Sequence, residues 1–115
     1  MSISYRLFDF HKEDYNQLFR LYELTYGSTD PIERRWQWQY LDHPRTDEIQ
    51  VVVAETDGQV VGFTSHFPMD IMYKGEVLTA FHGSGSMIDP AYRRKGIMWG
   101  MVQKRSELLP LYYAR

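Results

Sequence analysis

The chain has 115 residues, 43% of them hydrophobic and 24% charged, which allows one well-packed core and excludes both a disordered chain and a two-domain protein. A formal net charge of −2 and a pI near 6.0 argue against coating a polyanion, so no nucleic-acid partner is expected and any anion site must be local. Cysteine is absent, which removes disulfides and a thiol nucleophile, and neither a signal core nor a run near the roughly 18 apolar residues of a membrane span is present, so a soluble, cytoplasmic protein with no membrane partner is expected.

In chain order, Ile3 to Phe8 alternates loosely and predicts a short strand. Tyr15, Leu18, Phe19, Tyr22 and Tyr26 then fall on one face of a helix, with Gly27 placed to end it. Asp30-Pro31-Ile32-Glu33 has an N-cap carboxylate, a proline at the first helical position and a glutamate two residues further on, so a second helix starts here. It should stop near His43-Pro44, because a residue before proline is pushed out of the α region. Trp36, Trp38 and Tyr40 lie on this helix; one tryptophan is expected in the core and another near a ligand groove.

Two β-rich runs, Gln50 to Glu55 and Gln59 to Ser65, flank Thr56-Asp57-Gly58 and predict a hairpin. The second strand should continue from Pro68 to Tyr73 past an irregularity marked by the proline. Lys74-Gly75 turns the chain into a further strand from Glu76, which runs on, interrupted by glycines, to Ile88. A closing helix is marked by Ile97, Met98, Met101, Val102, Leu108 and Leu109, and Pro110 should end or kink it. The fold class expected is a mixed α/β domain of order β-α-α-β-β-β-α, spanning residues 1–115.

The stretch that carries chemistry is Ser86 to Met98, between the fourth strand and the last helix. A strand that passes through Asp89-Pro90 into a basic turn, with Gly96 where the helix begins, leaves backbone N–H groups pointing out of the helix start. Gly96 allows close approach, the helix dipole adds partial positive charge, and Arg93, Arg94 and Lys95 add formal charge at the same point. A pyrophosphate suits this turn. His11, His43, His66 and His82 are scattered without ligand spacing, so no metal is expected.

These residues resemble the GNAT superfamily of acyl-CoA N-acyltransferases. Ile88-Asp89-Pro90-Ala91-Tyr92-Arg93 is similar to the family's lead-in, and Arg93-x-x-Gly96 matches the first fixed positions of its Arg/Gln-x-x-Gly-x-Gly/Ala turn, whose last position is Met98 here. The order of elements and the hairpin Glu55-Thr56-Asp57-Gly58-Gln59-Val60-Val61-Gly62 extend the resemblance over nearly the whole chain.

The resemblance implies an acetyl-CoA-dependent N-acetyltransferase, or the coenzyme A-binding part of one. Backbone amides of Arg94, Lys95, Gly96, Ile97 and Met98, with Arg93, would hold the pyrophosphate, and the strand around Met87 and Ile88 would pair with the pantetheine arm. It also implies a fold lacking the family's C-terminal strands, and hence a homo-oligomer that covers the exposed edge of the strand from Glu76 to Ile88, with Leu111-Tyr112-Tyr113 in the contact. The acceptor would be a small-molecule or peptide amine. Such an amine must lose a proton to react; the candidate bases are Glu55, His66, His82 and, through water, Ser84, with His82 first and Ser84 beside it on the same strand. A non-catalytic coenzyme A-binding or assembly module is the alternative reading.

Overall fold

The computed structural model describes residues 2–8, 14–27, 34, 36–109 and 112–114. Strand β1 (Ser4–Leu7) is followed by helix α1 (Asp14–Tyr26), strands β2 (Gln50–Thr56), β3 (Gln59–Tyr73) and β4 (Glu76–Ile88), helix α2 (Ile97–Leu108) and strand β5 (Tyr112–Ala114). The strands form one antiparallel sheet in the order β1-β2-β3-β4-β5, which is the mixed α/β architecture expected, with β5 added. Among the described residues no helix is long and apolar enough to cross a membrane.

The central strands are rich in β-branched residues because they are covered on both faces. Alternation along β2 sends Val51 and Val53 to one face, where they pack with Leu18 and Leu21 of α1, Trp36, Tyr40, Phe63, Phe67 and Met87. Val52 and Ala54 go to the other face and meet Val61, Ile97 and Met101 under α2. The two hairpin turns, Asp57-Gly58 and Lys74-Gly75, each place two successive residues at positive φ, the geometry whose twist matches the flanking strands.

The β3 irregularity does not sit at Pro68, which pairs in register with Phe81; it lies between Thr64 and His66, where Thr64 pairs with Ser86 and His66 with Gly83. Ser65 therefore faces two residues, Ser84 and Gly85, and the surplus residue is a bulge in β4, with Gly85 at φ 78. The buried stripe of α2 is Ile97, Met101 and Arg105, whereas Met98, Val102 and Leu108 are exposed. Arg105 is buried with its guanidinium over the Phe81 ring at 5.6 Å.

The outer edge of β4 is also covered in part: Leu78–Ala80 pair with Tyr112–Ala114 of the same chain. Leu111 lies outside the described residues. Asp30 to Glu33, the predicted start of the second helix, also lie outside them. Arg34 and Trp36 are helical, and the chain then runs into a π-helical turn, Gln37–Leu41, closed by the Asp42 N–H donating to the Gln37 carbonyl at 2.8 Å. Beyond it, Arg45 fastens the loop to the hairpin by donating to Glu48, to Asp70 at 2.9 Å and to the buried Thr79 hydroxyl at 3.0 Å.

Helix α2 is seated by two glycines. A Cβ at Gly62 would come within 3.0 Å of Ile97 and 3.1 Å of Met101, and one at Gly100 would lie 2.1 Å from the Tyr5 ring. Glycine in a helix ordinarily costs about 1 kcal/mol against alanine, so Gly100→Ala would stabilise an unconstrained helix. Here overpacking should win. Gly100→Ala is expected to destabilise by about 1–3 kcal/mol; in a Tyr5→Ala background the same change should become neutral or favourable, as chemical denaturation of the four proteins of the cycle would show.

Candidate active site

The end of β4 is tied down before the basic turn begins. The Asp89 N–H donates to the Val61 carbonyl at 2.8 Å, and the Asp89 carboxylate accepts from the Ala91 N–H at 2.9 Å, capping a short 3₁₀ turn, Pro90–Tyr92. Arg20 of α1 braces this corner, its guanidinium 4.0 Å from the Asp89 carboxylate and donating to the Val60 carbonyl at 3.2 Å. From there Arg94 takes φ 65 and Gly96 φ 75, and these left-handed residues turn the backbone into α2.

This arrangement brings together the residues expected to hold a pyrophosphate. Arg93, Arg94, Lys95 and Gly96 are all exposed, and none of the three cations makes an ion pair among the described residues. The space beside Gly96 is open, with no atom within 4 Å of a Cβ built there. The first intrahelical bond seen at this end is from the Gly100 N–H to the Gly96 carbonyl at 3.0 Å, so the amides of Ile97, Met98 and Trp99 precede any helical acceptor. Ile97 anchors the helix in the core, and Met98 is partly exposed beside the turn. The donor set is that of an anion site.

Upstream along β4, Met87 is buried against Phe63 and the α1 face, and Ile88 packs on the opposite face with Ile97 and Met101. The bulge lies just before them. On the α1 face it adjoins a small groove lined by Leu18, Tyr22, Tyr26, Trp36, Tyr40, Phe63, Gly85 and Met87. The π-helical turn sets its wall: Trp36 and Tyr40 stack at 4.1 Å between ring centroids and 19° between planes. The Tyr40 hydroxyl shares a 2.8 Å hydrogen bond with the Ser65 hydroxyl, which donates to the Gly85 carbonyl at 3.3 Å, so the groove floor is tied to the bulge. Sequence reasoning gave Tyr22, Tyr26 and Tyr40 to packing alone. Their spacing carried no signal of a groove, because the same i, i+4 stripe serves a core.

The candidate bases separate. His82 is exposed and pairs with Phe67, the rings 6.0 Å apart, and Phe67 in turn packs on Tyr40, so His82 shares the face of the groove. Ser84 lies in the bulge itself, and its side chain is outside the described residues. Glu55 is held in an ion pair by Arg6 at 3.3 Å. His66 is on the opposite face, where burial pushes its imidazole down to about 4, with the charge of Arg105 and then His82 acting in the same direction. Its Nδ1 is buried without a hydrogen-bond partner among the described residues. Among the described residues no group of three His, Asp or Glu side chains could hold a metal ion.

Comparison with known proteins follows this geometry. The profile of the acetyltransferase (GNAT) domain matches residues 6–109. Similar folds include a GNAT family acetyltransferase of Staphylococcus aureus, 22% identical with a TM-score of 0.66, the match covering 93% of this chain and 77% of that one. An aminoglycoside acetyltransferase from an uncultured soil metagenomic sample is 16% identical with a TM-score of 0.67 over 91% of this chain and 68% of that one. Glucosamine-6-phosphate N-acetyltransferase from Arabidopsis thaliana is 14% identical with a TM-score of 0.60 over 94% and 77%. At these identities the likeness is one of fold. No curated protein sequence matches.

His66 gives a pH test of the fold. Because it stays neutral when folded but takes up a proton near 6.5 when unfolded, its share of stability is complete above about pH 6.5 and is lost as pH falls toward 4. The share should be on the order of 1–2 kcal/mol, allowing for its partial exposure. Urea titrations across this range are expected to show a shallower loss of stability in His66→Gln than in the wild type.

Proposed function

We propose that this chain, which belongs to the GNAT acetyltransferase family, binds acetyl-CoA at the turn from Arg93 to Met98 and along β4, and transfers the acetyl group to an amine. The observation that carries the reading is the convergence of helix-start amides, two left-handed residues and three cations free of ion pairs among the described residues at one end of β4. These groups fit a pyrophosphate, and the exposed edge beyond Ala80 suits an extended arm running past Met87 and Ile88 toward the bulge.

Acetyl-CoA supplies an activated acyl group: the amine nitrogen forms the new amide bond as the carbon–sulfur bond breaks, and coenzyme A leaves as the thiol. The chain's own contribution is placement and proton handling. Arg93, Arg94 and Lys95 fix the charged end, with Arg20 and Asp89 holding the corner that positions them. His82, exposed on the face of the groove, is the side chain placed to take the proton the amine must lose, and Ser84 sits in the bulge next to it on β4. His66, facing the other way, is not. The acceptor occupies the groove against Gly85.

Titration calorimetry with acetyl-CoA tests the placement. Gly96→Asn retains a residue that tolerates positive φ without adding charge, and Gly96→Asp adds a carboxylate at the same point. Affinity should fall at least about tenfold further in Gly96→Asp than in Gly96→Asn, a difference of about 1.4 kcal/mol from like-charge repulsion. Equal affinities in the two variants would overturn the assignment of the turn. Binding with no turnover of any amine would favour the non-catalytic reading.

A further inference from the structure

We infer that Trp99 stacks on the adenine of the acyl donor, so that this chain holds the nucleoside as well as the phosphates; this rests on the acetyl-CoA reading above. A helix face turned to solvent is ordinarily polar, but the outer face of α2 begins with an apolar patch. Trp99 is 66% exposed, against 3% for Trp36 in the core, and Met98 and Val102 beside it are exposed too. Val102 lies four positions after Met98 and three after Trp99, so the three side chains are neighbours on the first turns of the helix. Among the described residues no aromatic ring or cation packs on the Trp99 indole.

The position of the patch selects its occupant. Ile97, Met101 and Arg105 are the buried stripe, and at about 3.6 residues per turn Trp99 stands nearly opposite them. Side chains of a helix lean toward its N-terminus, so the indole leans back over the turn from Arg93 to Gly96, where the space beside Gly96 is open. In coenzyme A the adenine is joined through a ribose to the diphosphate, and that ribose carries a further phosphate. With the diphosphate on the amides of Ile97, Met98 and Trp99, the base is one sugar away from the exposed ring. Arg93, Arg94 and Lys95 line the same end of the helix for the remaining charge. A convex helix face has no depth to enclose a flexible chain. A planar base needs only a ring face, and it exchanges water for stacking there.

Calorimetry with acetyl-CoA tests the stacking, and the exposure of Trp99 means that its replacement should leave the fold intact. Trp99→Ala should raise Kd at least about fivefold. Trp99→Leu, which restores apolar area without a ring, should lose as much, whereas Trp99→Phe should stay within about threefold of the wild type. Acetyl-4′-phosphopantetheine, which lacks the adenosine, should bind the wild type and Trp99→Ala alike. Unchanged acetyl-CoA affinity in Trp99→Ala, full affinity in Trp99→Leu, or an equal loss with acetyl-4′-phosphopantetheine overturns the inference and leaves the acetyl-CoA reading standing. A wild type that does not bind acetyl-CoA sinks that reading, and the stacking with it.

Discussion

The single surplus residue of β4 opposite Ser65 is the constraint on which the candidate site depends. Side chains alternate along a strand, so His82 and Met87, an odd number of positions apart, would face opposite sides of an unbroken β4. The bulge reverses the parity. As a result His82 meets Phe67 and Met87 meets Phe63 on the same face, the face that also bears the groove. Ser65 holds the irregularity in place through the Gly85 carbonyl, and through Tyr40 it connects the bulge to the π-helical turn. Two departures from regular structure, one in a strand and one in a helix, thus support each other around one pair of hydroxyls.

The rest of the domain serves to fix that strand at both ends. Arg20 and Asp89 hold the end that leads to the basic turn, and Arg45, Asp70 and Thr79 hold the beginning of β4 to its neighbour and to the loop before β2. Gln17 does the same for the β2–β3 turn, donating to the Gly58 carbonyl at 3.2 Å and accepting from the Val60 N–H at 3.3 Å. In each case a polar side chain from outside the hairpins reaches a backbone or side-chain group of a strand or turn.

The order of elements, both hairpin turns and the basic turn were legible in the sequence because each rests on local chemistry. Asp57-Gly58 and Lys74-Gly75 occupy positive φ, Asp89 and Pro90 lead the strand into a turn, and Gly96 is left-handed where the helix begins. What escaped depends on partners far apart in the chain. The bulge is set by cross-strand register, which two glycines and two serines in β4 do not encode by pattern. Arg105 reads as a surface residue until Phe81 supplies a ring for its guanidinium, and Leu108 reads as core until the helix rotates it outward. Strand β5 was missed because three residues after a proline give too short a run to show alternation. The groove was hidden among residues whose stripe is equally that of a core.

The seat of α2 against β1 has a kinetic meaning. Tyr5 and Gly100 touch although 95 positions separate them, and the helix between Ile97 and Leu108 starts at the basic turn. The β2–β3 and β3–β4 hairpins close over two residues each and can form early, whereas this contact must close a loop spanning most of the chain. The docking of α2 on β1 is thereby expected to follow the pairing of the hairpins, so a chain caught before that step would carry its sheet in register with the Tyr5–Gly100 seat still open.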